Sequence, residues 1–189
     1  MALTPSSMMP LGTRAPDFTL TDTVSGKKTG LQDAKGAQGT LMMFICNHCP
    51  YVKHIKAALS QLGKDYQNNS QNRGIAIIAI NANDAVNYPD DAPDKMKVFA
   101  QQNGFGFPYL HDETQSVAKS YGAACTPDFF LFDGNLKCVY RGQFDDSRPG
   151  NDIPVTGKDL RAAMEALITG KNISATQRPS MGCNIKWKV

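Results

Sequence analysis

The sequence lacks the features that define several protein classes. Its longest apolar runs, Leu41–Cys46 and Ile75–Ile80, fall far short of the ~20 residues that a membrane span needs. The opening MALTPSSMMPLGTRAPDF has no early positive charge and no apolar stretch, so it does not read as a secretory signal, and a cytoplasmic location is expected. No internal repeat or low-complexity tract occurs. Cysteine is scarce: five in 189 residues cannot build a disulfide scaffold, and an odd count leaves at least one thiol without a partner in the chain. The net charge is only +3, and the lysines and arginines are scattered. The short cluster Lys53, His54, Lys56 reads as the solvated face of a helix, so neither a nucleic acid nor a membrane partner is expected.

A real core is present. Hydrophobic residues make up 41% and charged residues 20% of the chain, which suits a single soluble domain. Residues 1–13 are small and polar and read as an N-terminal arm, and residues 171–189 as a C-terminal tail. Between them, residues 14–170 carry the regular patterns. Phe18 and Leu20 alternate with threonines up to a turn at Val24–Lys27, and Leu41–Ile45 is a short buried strand. From Pro50 the period changes. Val52, Ile55, Leu59, Leu62 and Tyr66 recur at helical spacing and predict an amphipathic helix of about 17 residues. Ile75–Ile80 predicts a second buried strand, and a polar loop with Pro89 and Pro93 follows. Then come a helix over 94–103, a short strand over 107–110 and a short helix over 113–121. A hairpin is expected around Asp133-Gly134-Asn135, and a closing helix over 157–168. Strands joined through a helix run parallel with a right-handed crossover, whereas hairpin strands run antiparallel. The expected fold class is therefore α/β, with a mixed β-sheet flanked by helices on both faces.

The segment Phe44-Ile45-Cys46-Asn47-His48-Cys49-Pro50, where strand gives way to helix, carries the chemistry. Cysteines three apart at a helix start lie on one face, close enough for a disulfide or for shared metal ligation. The helix end presents unpaired N–H groups that favour a thiolate and make a thiol reactive near neutral pH. His48, if protonated, would stabilise the Cys46 thiolate and make the disulfide more oxidising. Because a residue before proline avoids helical geometry, Cys49 is expected as the N-cap with Pro50 at N1 and Cys46 in the approach loop. The competing readings are two buried space-filling cysteines and a zinc half-site. The latter lacks a second CxxC or an HxxxH to complete it.

These landmarks resemble the thioredoxin-like redoxins, the alkyl hydroperoxide reductase/thiol-specific antioxidant (AhpC/TSA) group and its thiol-disulfide relatives. Gly12-Thr13-Arg14-Ala15-Pro16-Asp17-Phe18 looks like the family's opening motif. Val98-Phe99 through Phe107-Pro108-Tyr109-Leu110-His111-Asp112 looks like its central helix and strand. Val117–Gly122 then leads into Thr126-Pro127 and Phe130-Leu131-Phe132-Asp133, so the resemblance spans residues 10 to 170. It implies a thioredoxin-like fold with Pro127 in cis facing the cysteine pair. Cys46 would be the attacking and Cys49 the resolving cysteine. Thr126 and Pro127 would shield the dithiol and pair with substrate backbone as a short strand.

Several departures stand out. Met43 occupies the position where a peroxidase of the group has Thr or Ser, Ile45 replaces a usual Trp, and Thr40 stands where thioredoxins bury an acid. No proton acceptor for Cys49 is identifiable apart from His48. Of the other cysteines, Cys125, beside Thr126, and Cys183, on the tail, are candidates for an auxiliary redox or metal role. Cys138 reads as core, and His54 and His111 as ordinary surface or loop residues. Asp128 reads either as a neighbour of the site or as a solvated turn residue.

The expected activity is thiol-disulfide oxidoreduction at Cys46/Cys49. It needs no organic cofactor and no metal, only disulfide or thiol substrates and a cellular thiol-reducing system. Two alternatives remain at this level. One is a thiol peroxidase with Cys46 oxidised to a sulfenic acid. The other is a metal-binding or redox-sensing module using Cys46, Cys49 and Cys125 or Cys183.

Overall fold

The computed structural model describes residues 3–67 and 74–188. A short strand β1 (Leu3–Pro5) is followed by the hairpin β2 (Thr19–Asp22) and β3 (Lys28–Gly30) and a single helical turn, α1 (Leu31–Ala34). Strand β4 (Gly39–Phe44) leads into α2 (Pro50–Tyr66), β5 (Ile75–Asn81) and α3 (Pro93–Gln102). Next come β6 (Tyr109–His111), α4 (Ser116–Ser120), β7 (Cys125–Thr126), β8 (Asp128–Asp133) and β9 (Cys138–Arg141). Helix α5 (Lys158–Ile168) and β10 (Met181–Asn184) close the chain. No helix among the described residues is long and apolar enough to cross a membrane.

The main sheet runs β3-β2-β6-β5-β4-β8-β9. Strand β4 is parallel to β5, which is parallel to β6, while β8 pairs antiparallel with β4 and β9. Every residue of β4 is buried, because both faces of the central strand are covered. The two-residue pleat divides its side chains. Leu41 and Met43 pack with Val52, Ile55, Leu59, Leu62 and Tyr66 of α2 and with Leu160 and Met164 of α5. Met42 and Phe44 point the other way, against Leu31, Val117, Ala118 and Tyr121. The helical stripe read from α2 is thus the stripe that fills one half of the core. Truncating Leu41 or Leu59 to Ala would cost about 3 kcal/mol.

The ends of the chain behave differently from an arm and a tail. Strand β1 pairs antiparallel with β10, which pairs antiparallel with β7, forming a separate three-stranded sheet. Met9 is buried, and Arg14 bridges to Lys137 of the β8–β9 hairpin turn. Sequence patterns missed these strands because each is three or four residues long, or two in β7, too short to show a period.

Candidate active site

The site lies beyond the carboxyl ends of β4 and β5, where ligands collect in parallel sheets. Cys46 follows β4 in an irregular loop. Cys49 is the N-cap of α2 in extended geometry (φ −64°, ψ 125°), with Pro50 as the first helical residue. Across from them, the Thr126–Pro127 peptide is cis, as the resemblance implies. Thr126 holds both sulfurs. Its Oγ1 is 3.2 Å from Cys46 Sγ, and its carbonyl accepts at 3.1 Å from Cys49 while that sulfur is protonated.

The two cysteines are electrostatically unequal. Cys46 donates to the Cys49 sulfur, the S–H of Cys183 adds a second hydrogen bond, and the N–H of Val52 in the first turn of α2 faces the same sulfur. These contacts outweigh burial and draw the Cys49 pKa down to about 5. The Cys46 thiol moves well upward, because its proton is shared with Cys49, it is buried, and the Asp91 carboxylate is near. Proton sharing within the reduced pair thus favours the thiolate on Cys49 over Cys46.

Asp91 is the functional residue that the sequence reading missed. It ends a 3₁₀ turn over Pro89–Asp91 in the loop after β5 and is fully buried. Oδ1 accepts from the Asn47 N–H (2.7 Å) and from Asn81 Nδ2 (3.1 Å). Oδ2 accepts from His48 Nδ1 (2.5 Å) and from Asn83 Nδ2 (2.9 Å). Burial alone would raise its pKa, but the bonds from His48, Asn83 and Asn47 lower it, so the carboxylate stays ionised. His48 is oriented from both sides, stacking on Tyr88 with ring centroids 5.6 Å apart. The available signal was positional: a polar run, Asn81 to Asp91, at the carboxyl end of a strand parallel to the one that delivers Cys46.

Cys46, His48 and Asp91 each bring one metal-ligating atom within 4.8 Å of the others. Four donors are already seated on the Asp91 oxygens, so the group is a hydrogen-bonded cluster rather than an open ligand cage. Neither Cys125 nor Cys183 belongs to this trio.

The remaining candidates separate clearly. Cys183 lies opposite Thr126 in the β10–β7 register, with its Sγ 3.0 Å from Cys49 Sγ. Cys125 turns away and donates to the Pro127 carbonyl at 3.5 Å, and burial pushes its thiol far up. Cys138 sits in the opposite half of the core, its thiol raised to about 11 by burial. His54 bonds to Ser147 Oγ at 2.7 Å. Asp128 is no solvated turn residue: it is fully buried at the start of β8, paired with Phe44 of β4, with Oδ1 lacking a hydrogen-bond partner. The edge of β7, expected to receive substrate backbone, is covered by β10, and Cys46 and Cys49 are fully buried. A shallow groove lined by Tyr51, His54, Pro127, Phe144, Ser147 and Met181 runs beside the cis proline.

The chain is similar to several known proteins. The chain is 29% identical over 136 residues to the thiol-disulfide oxidoreductase ResA of Bacillus thuringiensis subsp. konkukian, covering 72% of this chain and 71% of that one. The crystal structure of an uncharacterized conserved protein from Geobacillus kaustophilus is 54% identical. It superposes with a TM-score of 0.95, covering 100% of this chain and 97% of its own. The thioredoxin domain of a thiol-disulfide oxidoreductase from Bacteroides vulgatus shares the fold at 20% identity and a TM-score of 0.57, over 70% of this chain and 88% of that domain. Residues 11–141 match the AhpC/TSA family, and with the thioredoxin-like sheet, the cis proline and the cysteine pair in place, the chain belongs to that family.

Proposed function

We propose that the protein is a thiol-disulfide oxidoreductase in which Cys46 and Cys49 alternate between dithiol and disulfide. The observation that carries this reading is the convergence of both sulfurs on Thr126, ahead of the cis proline, with the thiolate favoured on Cys49. The activity named for the ResA relative supports it.

In the reducing direction, Cys46 gives its proton to the His48–Asp91 pair and attacks one sulfur of a substrate disulfide. A mixed disulfide forms, and the departing substrate thiolate takes up the proton. Cys49, already a thiolate, then attacks Cys46 Sγ. The Cys46–Cys49 bond forms and the second substrate sulfur leaves as a thiolate, which takes a proton from solvent. Two protein thiols become one disulfide while the substrate disulfide becomes two thiols, and a cellular thiol system returns the protein to its starting state. Asp91 orients the imidazole and balances its positive charge. The peroxidase alternative finds no hydroxyl at position 43, where Met43 is packed in the core beside α2.

Turnover of insulin disulfides and of hydrogen peroxide by one preparation tests the reading. Disulfide turnover should dominate, and Cys46→Ser and Cys49→Ser should each abolish it. Full retention by Cys46→Ser would refute the assignment.

A further inference from the structure

The third sulfur at the site comes from the end of the chain, and several contacts hold it there. Strand β10 sets Cys183 directly opposite Thr126, the residue that contacts both sulfurs of the pair. Gly182 makes that approach possible, since a Cβ at this position would lie 2.0 Å from the Thr126 carbonyl oxygen. Ser180 Oγ donates to the Pro127 carbonyl at 2.9 Å, and β1 closes the outer edge of β10 with Leu3 opposite Cys183. Cys183 is buried, and its sulfur needs to move only about 1 Å toward Cys49 to reach disulfide bonding distance.

We propose that Cys183 is a third redox-active cysteine, an internal exchange partner that takes over the disulfide from the Cys46–Cys49 pair. The inference rests on the dithiol reading above. Starting from the Cys46–Cys49 disulfide, the Cys183 thiolate attacks Cys49 Sγ. The Cys49–Cys183 bond forms, the Cys46–Cys49 bond breaks, and Cys46 leaves as a thiolate that takes up the proton lost by Cys183. One disulfide and one thiol exist before and after, so no oxidant or reductant is consumed. The disulfide moves from the loop after β4 to the strand β10, and Cys46 is returned to its thiol form.

The reduced state keeps Cys183 out of this chemistry. Burial, the hydrogen bond to Cys49 and the negative charge on Cys49 together raise its thiol to about 12. The second and third of these causes disappear once Cys49 enters a disulfide. Burial, the largest cause, remains, so oxidation of the pair eases the ionisation of Cys183 without freeing it entirely.

Disulfide mapping decides the matter. The reduced protein is oxidised with limiting diamide, quenched by alkylation in acid and digested with trypsin without reduction. Peptide 36–53 carries Cys46 and Cys49, and peptide 172–186 carries Cys183. The expected result is two species in the wild type. One is peptide 36–53 lighter by the two hydrogens of an internal bond, and the other is 36–53 cross-linked to 172–186. In Cys46→Ser the cross-link should be the main product, and in Cys183→Ser it should be lost. A wild type with its internal disulfide but with Cys183 fully alkylated would overturn the exchange. So would a Cys46→Ser protein, folded by circular dichroism, in which Cys49 pairs only between molecules. A wild type that never forms the internal disulfide would remove the dithiol reading, and this inference with it. That outcome differs visibly from the other two.

Discussion

His48 Nδ1 donates to Asp91 Oδ2 at 2.5 Å, and through this bond a residue 43 positions away enters the chemistry of Cys46. The contact sets a carboxylate from outside the CxxC motif against the histidine inside it. It also places a buried negative charge beside Cys46, and these two effects pull in opposite directions.

Asp91→Asn separates them. The amide keeps an acceptor for the Asn47 N–H but no longer balances a protonated His48, so disulfide turnover should fall by about 10- to 100-fold. With the carboxylate charge gone, the Cys46 thiol should ionise at lower pH and alkylate faster at neutral pH. Turnover and site-resolved alkylation by mass spectrometry therefore move in opposite senses. A parallel loss of both would mean that Asp91 serves only to hold the loop.

Asp128 should make stability depend on pH in an unusual sense. Burial lifts its carboxyl from 3.8 to about 7, so between these values the folded chain keeps a proton that the unfolded chain has released. Its contribution is fully present below pH 3.8 and is lost as pH rises through about 7. Asp128→Asn, which cannot ionise, should gain stability relative to the wild type by about 4 kcal/mol between acid and mildly alkaline pH. Urea unfolding of both proteins across that range measures the difference, and a constant gap would show that Asp128 ionises normally.

Gly182→Ala tests whether β10 covers the dithiol. The new Cβ collides with the Thr126 carbonyl, which is backbone and cannot rotate away, so β10 must lift from β7. Stability should fall by about 1–3 kcal/mol. Alkylation of Cys46 and Cys49, both fully buried in the wild type, should accelerate at least about 10-fold as the strand opens. Pulsed alkylation with peptide-level readout gives the rates, and unchanged rates would show that access runs by another route.

Much of the frame could be read along the chain. The stripe from Val52 to Tyr66 is a helix because its apolar residues repeat at the helical period, and it buries that same stripe. The runs Leu41–Ile45 and Ile75–Ile80 mark the two central strands, since a strand covered on both faces is apolar without alternation. Pro50 determines locally that Cys49, rather than Cys46, caps α2. Short strands at the two chain ends had no such signature. Their order comes from pairing partners more than a hundred residues away, as Leu3 meets Cys183.

The five cysteines divide along the same line. The sequence by itself determined the motif, the helix end that stabilises a thiolate, and the family, because spacing, proline restriction and hydrophobic period are local properties. Only the tertiary structure decided the rest. It brought Asp91 beneath His48, turned Cys125 away from the pair and set Cys183 against Cys49. The first and the last are contacts across 40 or more residues, and which side chains meet over such a distance is decided by sheet order and strand register, not by any local pattern.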